Sequence, residues 1–112
     1  MLEELRSFYT EVVGLTLGTR PPFKRFGYWL YAGDKDVLHL TETSASESIE
    51  VGAKTTFNHV AFACTGPAAY KSRLESCAIA YEMDSVPDTG QIQLFFTDPA
   101  GNGVDLNFGC GS

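Results

Sequence analysis

The two halves of the chain predict the same succession of helices and strands, and this repeat restricts the fold more than any other feature of the sequence. The first half predicts one helix and three strands, and the second half predicts a strand, a helix and three strands. A repeated unit of mixed elements is typical of α+β proteins in which helices cover the outer face of curved sheets. We therefore expect paired βαβββ units, the first of which lacks its opening strand.

Length and local composition define the predicted boundaries. A chain of 112 residues is expected to form one domain, since domains usually contain about 100–200 residues. Within it, residues 1–43 make up the incomplete first unit, αβββ, and residues 57–108 make up the complete second unit, βαβββ. Residues 44–56 between them are rich in Ser and Glu, which indicates a linker on the surface.

In the first half, apolar residues at spacings of three and four predict a helix that ends at Gly14. The helix begins at the first residue without a capping side chain before it, which is unusual. Alternating and aromatic stretches then predict three strands, at residues 15–19, 26–31 and 37–41. The last two strands are expected to form a hairpin around a turn at residues 32–36.

The second half starts with an apolar strand at residues 57–64, and Pro67 then occupies the favoured first position of a helix. Three more strands are predicted, at residues 79–83, 91–97 and 104–108. A tight turn rich in Gly and Asn joins the last two strands. The tail from Gly109 onwards is expected to be frayed.

Charge and cysteine usage restrict the partners and the location. The chain carries 14 acidic and 8 basic residues, a net charge of −6, whereas nucleic acids and anionic membrane surfaces bind basic proteins. No run of about 18 apolar residues is present, so no membrane span is expected. Three cysteines without a CxxC spacing, Cys64, Cys77 and Cys110, indicate reduced thiols in a cytoplasmic protein.

Three segments, in the order of a known family, carry a resemblance that spans nearly the whole chain. Residues 8–15 (FYTEVVGL) resemble the end of the first helix in the vicinal oxygen chelate superfamily, which includes glyoxalase I, bleomycin resistance proteins and extradiol dioxygenases. Residues 58–62 (NHVAF) and 96–106 (FTDPAGNGVDL) resemble a strand and a hairpin of its second module. The resemblance implies two βαβββ modules that form an incomplete barrel around a divalent metal ion, a substrate that chelates this ion through adjacent oxygens, and a homodimer.

The resemblance also implies which residues bind the metal. His59 and Asp105 match ligand positions of the second module, and His39 matches the ligand position in the last strand of the first module. Two imidazoles and one carboxylate suit Fe²⁺, Mn²⁺, Zn²⁺ or Ni²⁺. A carboxylate beside the metal can act as a general base, which makes Asp105 the candidate catalytic residue.

Two departures from the family pattern bear on this metal site. His59 and Asp105 lie 46 residues apart, so the matching partner of His39 would precede Met1. Either the natural chain begins upstream, or the protein works without that strand and its ligand. Asp105 stands where the family usually has Glu, and its side chain is shorter by about 1.5 Å. Because metal–ligand distances vary by only about 0.2 Å, the backbone must approach the metal more closely or the metal binds weakly.

Gln93, Trp29 and Tyr31 are the candidate substrate-binding residues. Gln93 shares a face of its strand with Phe95, and it binds a substrate oxygen if that face points inward or is solvated if it points outward. Trp29 and Tyr31 share a face by strand alternation. They either line a pocket for a flat apolar ligand or pack within the hairpin.

The three metal candidates have structural alternatives as well. His39 can be a hydrogen-bonded residue of its strand, and His59 can be partnered by the neighbouring Asn58. Asp105 can accept hydrogen bonds from backbone amides in a curved strand. These roles need no metal ion.

Three functions remain open at this point. The first is a metal-dependent enzyme of the glyoxalase or dioxygenase type, with lyase, isomerase or dioxygenase chemistry on a small oxygen-chelating substrate. The second is metal-free binding of a small molecule, for which an acidic protein with aromatic strands suits a cationic ligand. The third is an interaction or regulatory domain whose site has decayed.

Overall fold

The computed structural model describes residues 1–44 and 55–109, which belong to two units. The first unit, Met1–Val51, contains a helix and three strands: α1 (Leu2–Glu11), β1 (Thr16–Gly18), β2 (Gly27–Ala32) and β3 (Lys35–Thr41). The second unit, Gly52–Ser112, contains β4 (His59–Cys64), α2 (Pro67–Ser76), β5 (Glu82–Ser85), β6 (Ile92–Thr97) and β7 (Gly103–Phe108). Two separate open sheets with one helix in each unit confirm the predicted α+β class.

The first unit contains a three-stranded antiparallel sheet in the order β1-β2-β3, and α1 contacts both β2 and β3. Leu30 at the centre of β2 is fully buried. The helix ends at Glu11, and the chain reverses at Gly14, which has a φ of +92°. After this turn the backbone N–H of Leu15 donates to the carbonyl of Tyr9 at 2.9 Å. Gly14 therefore terminates the helical segment as predicted, because a positive φ is accessible to glycine at little cost.

A β-bulge at Val37 changes which side chains of β3 share a face. Tyr31 of β2 pairs with Asp36, whereas the preceding residue of β2 pairs with Leu38, so Val37 has no partner in β2. Two residues three positions apart point to opposite faces of a regular strand. The extra residue of the bulge brings Asp36 and His39 to the same face.

The second unit contains a four-stranded sheet in the order β4-β7-β6-β5, in which β7 lies between a parallel neighbour, β4, and an antiparallel neighbour, β6. One face is apolar and meets α2: Leu94 and Leu106 of the sheet and Leu74 of the helix are fully buried. The ring of Tyr70 in α2 lies 5.6 Å from that of Phe108 in β7. Since side chains alternate along a strand, the residues between these positions point to the other face.

The strand predicted at residues 79–83 is wrong in position, because β5 spans Glu82–Ser85. The residues before β5 complete the end of α2 instead. The backbone N–H of Ile79 donates to the carbonyl of Leu74 at 2.9 Å, and Ala78 between them has a left-handed φ of +56°. This capping turn uses residues whose alternating pattern resembles that of a strand.

The other predicted strands agree with the structure to within two residues at each end. The first element of the described residues is α1, which begins at Leu2. Most of the predicted linker (residues 45–54) and the tail that contains Cys110 lie outside the described residues. Cys64 and Cys77 are free thiols. None of the described helices is long and apolar enough to cross a membrane.

Candidate functional site

The face of the second sheet that points away from α2 carries most of its polar side chains, and we call it the polar face. Strand pairing arranges its members in rows across the sheet. Asp105, Phe95 and Glu82 form one row, and Asn107, Gln93 and Asp84 form the next row. His59 of β4 lies on the same face, because it pairs with the residue two positions before Asp105.

Asp105 is the buried acid of the polar face, with a side chain that is 3% exposed. The Nε2 amide of Gln93 donates a hydrogen bond of 3.2 Å to Asp105 Oδ2. Asp105 Oδ1 is buried and accepts no hydrogen bond from any described residue. Burial raises the pKa of Asp105 above its usual value, and the nearby His59 and the Gln93 hydrogen bond lower it by smaller amounts. The carboxyl group is thus held in place on one oxygen and has an unused acceptor on the other.

His59 is oriented by the residue before it. Its Nδ1 lies 2.6 Å from the side-chain oxygen of Asn58, and since this oxygen only accepts, Nδ1 carries the proton in this contact. In the neutral imidazole the lone pair then lies on Nε2, which is 3.7 Å from Asp105 Oδ2. The imidazole edge meets the ring of Phe95 at 6.0 Å and an interplanar angle of 88°. Asn58 therefore leaves Nε2 free to accept a metal ion or a proton.

A glycine in β7 allows β4 to approach at this point. Gly103 pairs with His59, and a Cβ atom on Gly103 would lie 2.6 Å from the carbonyl oxygen of Asn58 and 2.8 Å from Cβ of His59. Both distances are shorter than van der Waals contact. The absence of a side chain at Gly103 therefore permits this close approach of β4 to β7.

The distances at this pair test whether a divalent metal ion fits. Metal–ligand bonds of about 2.0–2.2 Å allow two ligand atoms on one ion to lie up to about 4.3 Å apart, and the 3.7 Å between His59 Nε2 and Asp105 Oδ2 is within this limit. The unpartnered Oδ1 of Asp105 adds a further acceptor. The pair therefore fits two ligands of a metal site. Neither unit, over its described residues, gathers three His, Cys, Asp or Glu side chains around one point.

His39, the third expected ligand, has its own partners in the first unit. Its Nε2 lies 2.6 Å from Oδ2 of Asp36, and its ring stacks on that of Trp29 with centroids 3.9 Å apart and planes 4° apart. The His39 side chain is 46% exposed. The contact with Asp36 occupies one of the two ring nitrogens of His39, and His39 as a metal ligand stays a prediction.

Trp29 and Tyr31 share one face of β2, as the alternation predicts. Trp29 pairs with His39, and Phe23 lies 6.1 Å from its ring. The Tyr31 hydroxyl donates to the carbonyl of Thr19 at 2.6 Å. Tyr31 therefore has a packing and hydrogen-bonding role within the hairpin, and substrate binding by either residue stays a prediction.

Sequence reasoning did not assign roles to Gly103 or Asp36, and it treated Asn58 only as a structural partner. An Asn directly before a candidate His is a signal that sequence reasoning can use, because adjacent side chains at the start of a strand can meet. No sequence signal placed Asp36 next to His39, since the spacing of three predicts opposite faces without the bulge. Gln93 shares a face with Phe95, as alternation predicts, and donates to Asp105, and its role in substrate binding stays a prediction.

The fold and this site define a small α+β protein built from two related units, with a His–carboxylate pair on the helix-free face of one sheet. The sequence profile of the Glyoxalase/Bleomycin resistance protein/Dioxygenase superfamily matches residues 1–106. The chain belongs to that superfamily. A search of curated proteins finds no match for it.

Solved structures of the same fold cover 96% of this chain. A protein from Bacillus anthracis assigned to the glyoxalase family is 25% identical, with a TM-score of 0.72 over 83% of its length. Lactoylglutathione lyase from Agrobacterium tumefaciens is 22% identical, with a TM-score of 0.64 over 85% of its length. The antibiotic-binding protein TnmS3 from a Streptomyces species is also 22% identical, with a TM-score of 0.68 over 85% of its length. At these identities the last two share the fold, and their functions differ from each other.

Proposed function

We propose that the protein is a metal-dependent enzyme of this superfamily, acting on a small substrate that binds the metal through adjacent oxygens. His59 and Asp105 would hold the divalent ion. One observation carries the proposal: a buried carboxylate oxygen of Asp105 without a partner lies beside an imidazole whose Nε2 is kept free. A buried polar atom without a hydrogen bond costs about 1–3 kcal/mol, which a bound cation would offset.

The chemistry of the donors limits the metal and the reaction. Imidazole and carboxylate suit Fe²⁺, Mn²⁺, Zn²⁺ or Ni²⁺, and such an ion supplies Lewis-acid stabilisation of negative charge on a substrate oxygen. Among the protein groups, Gln93 fixes Asp105 by its hydrogen bond to Oδ2. Asp105 Oδ1 would then act as the general base, a role that suits a carboxyl group whose pKa is raised by burial. Lyase, isomerase and dioxygenase reactions are all compatible with a metal ion and a carboxylate base in these positions.

His39 is part of the same proposal as a third ligand from the first unit. It would need to exchange its 2.6 Å contact with Asp36 for the metal. Trp29 and Tyr31 would contact the substrate. Residues 1–43 and 57–108 would be two modules of one domain, in a cytoplasmic protein.

A homodimer belongs to this proposal because one strand edge of the first unit is open. Within the described part of that unit, β3 pairs with β2 on one side only. An open edge presents unpaired backbone groups that pair readily with another chain. Sedimentation equilibrium of the full chain is expected to give twice the 12.2 kDa mass of one chain. A monomer at all micromolar concentrations would contradict the dimer without affecting the metal site.

The decisive experiment measures the metal content of the protein, purified without chelators or affinity-tag metals, by mass spectrometry. About one transition-metal ion per chain is expected, and it should be lost in His59→Ala and in Asp105→Asn, because each removes one ligand. Asp84→Asn is the matched control, since Asp84 is an exposed acid on the same face. A wild-type protein that takes up none of the four metals, or an Asp84→Asn variant that loses as much metal as Asp105→Asn, would refute the proposal.

Metal-free binding of a cationic small molecule is the second candidate function. Asp105 Oδ1 and the side-chain oxygen of Gln93 both lack a hydrogen-bond donor among the described residues, and the chain has a net charge of −6. A ligand rich in hydrogen-bond donors would satisfy these acceptors. This function predicts ligand binding that persists in excess chelator, whereas the enzyme requires the metal.

A further inference from the structure

A groove of about 510 Å³ lies next to the polar face, where β5 begins beside β6. Its lining residues are Ala80, Tyr81, Glu82, Phe95, Phe96 and Thr97. The volume is within the range of about 300–1,000 Å³ that is usual for sites that bind small molecules. None of the proposed metal ligands lines this groove, so it is a separate feature of the second unit.

Phe95 joins the groove to the His59–Asp105 pair. Phe95 is a lining residue of the groove, and its ring lies 6.0 Å from that of His59 in a T-shaped contact. In strand pairing Phe95 lies opposite Asp105 on one side and opposite Glu82 on the other. Neighbouring strands are about 4.8 Å apart, so the backbones of the two acids are about 10 Å apart with an aromatic ring between them. A single small molecule can span this distance.

The charges of the groove favour a cation. The carboxylate of Glu82 makes no hydrogen bond or ion pair with any residue in the described ranges, and no Lys or Arg lines the groove. A cation over the face of an aromatic ring is attracted by the ring, and a carboxylate next to it adds to the attraction. Glu82 is therefore available to a positively charged ligand group that lies on Phe95.

The walls of the groove suit an apolar ligand body. The Tyr81 hydroxyl donates to a carboxylate oxygen of Glu75 at 3.1 Å, and burial raises the pKa of Tyr81, so this hydroxyl stays protonated and is already used. The Phe95 side chain lies on the polar face with Glu82, whereas Phe96 points to the α2 face by strand alternation and Tyr81 reaches Glu75 of α2. Polar recognition in the groove is thus concentrated at Glu82.

We propose that this groove binds an organic amine, with its apolar body against Phe95 and its ammonium or guanidinium group paired with Glu82. The inference rests on the proposed function, because the opposite end of the same ligand would reach His59 and Asp105. It narrows the substrate class from any oxygen-chelating molecule to one that also carries a positive charge. The same groove and charge would serve a cationic ligand in a metal-free binding protein.

The test compares two probes with the same aromatic body, 2-phenylethylamine and 2-phenylethanol, in NMR titrations of the ¹⁵N-labelled full chain. The amine is expected to bind about ten-fold more tightly, the combined effect of an exposed ion pair and a cation–π contact. The largest shifts should fall on the amides of Glu82, Phe95 and Thr97. Equal affinities, or no shifts with the amine at about 10 mM, would overturn the proposal.

Substitutions of two acidic residues test which carboxylate attracts the amine. Glu82→Gln keeps the shape of the side chain and should weaken amine binding about five-fold while leaving alcohol binding unchanged. Asp84→Asn, on the same strand and face, is the matched control and should change neither. If Asp84→Asn weakens amine binding as much as Glu82→Gln, the amine is attracted by the negative charge of the whole face, and the proposed site is wrong.

The metal content separates this inference from the proposed function. Glu82→Gln should retain the full metal content, because Glu82 is not a ligand. Metal bound by the wild type without selective binding of the amine would refute the amine site alone. Selective amine binding in a protein that takes up no metal would refute the metal-dependent enzyme alone.

Discussion

Each unit of the protein holds one His–Asp pair, and the two carboxylates respond in opposite ways. In the first unit, a hydrogen bond from His39 at 2.6 Å lowers the pKa of Asp36 below its usual value. In the second unit, burial raises the pKa of Asp105 although His59 Nε2 lies 3.7 Å away. The same two residue types therefore form a satisfied surface pair in the first unit, and in the second unit a pair whose Asp is buried with one oxygen unused.

Strand position explains this difference. β7 lies between β4 and β6, so Asp105 is covered on both sides. Within the described residues β3 pairs only with β2, and the Asp36 side chain is 40% exposed. Water solvates an exposed carboxylate, whereas a buried carboxylate depends on the few donors around it. The state of each carboxylate therefore depends on whether neighbouring strands cover it, more than on the presence of a nearby histidine.

The largest expected effect comes from the core that supports each pair. Leu106 is fully buried next to Asp105, and its change to Ala should lower the free energy of unfolding by about 3 kcal/mol. Leu40→Ala, next to His39 on the partly exposed β3, should cost about 1 kcal/mol, because less contact is lost. Urea denaturation measures both values. Equal losses in the free energy of unfolding would show that strand coverage does not distinguish the two pairs.

The next effect concerns the close approach of β4 and β7. Gly103→Ala places a methyl group against Asn58 and His59, and should destabilise the protein by about 2 kcal/mol and weaken metal binding. Gly33→Ala is the control, because that position has open space and only a positive φ of +64°. The control should cost about 1 kcal/mol by backbone strain and leave metal binding intact. Retained metal affinity in Gly103→Ala would show that His59 does not depend on this contact.

A smaller effect, of opposite sign, is expected for Asp105→Asn. Without metal at pH 7 the change should stabilise the protein by about 1 kcal/mol, because it removes a buried charge. The folded-state pKa of Asp105 is raised, so the wild type recovers this stability as the pH falls through that pKa towards the unfolded value near 3.9. The advantage of the variant should therefore shrink between pH 7 and pH 4. Thermal unfolding over this range measures it, and an advantage that grows at low pH would contradict the burial of a charged Asp105.

The smallest effect is expected for Asp36→Asn, which should change stability at pH 7 by no more than the error of the measurement, since exposed ion pairs contribute little. The lowered pKa of Asp36 gives the opposite pH dependence to Asp105. Its small contribution is present above the unfolded pKa near 3.9 and is lost as the pH falls through the folded pKa. Parallel thermal unfolding of both variants tests this contrast. A larger effect for Asp36→Asn than for Asp105→Asn would reverse the comparison.

The sequence predicted the elements well because their patterns are local. The helix that ends before Gly14 and the strands that hold His59 and Asp105 follow from periodicity and turn residues. The common face of Gln93 and Phe95 follows from alternation. The prediction misplaced β5 because the turn before it contains Ala78 with a left-handed φ, a conformation that alanine does not favour.

The details of the site depended on structure that no local pattern encodes. The bulge at Val37 decides that Asp36 meets His39, and the pairing of β4 with β7 decides that His59 meets Asp105. The unused oxygen of Asp105 is a result of burial, which depends on the complete sheet. The residue types at the site could be predicted. The hydrogen-bond partners of each side chain, and the polar atoms left without a partner, could not.

The parallel pairing of β4 with β7 has a consequence for how the protein acquires its site during folding. His59 and Gly103 are direct partners although 44 residues separate them in sequence. Contacts between distant parts of a chain form slowly, because the loop between them must first be closed against its entropy. Antiparallel pairs such as β6 with β7 join nearby residues and can form earlier. We therefore expect His59 to meet Asp105 late in folding, so that the pair exists only in chains whose second unit is complete.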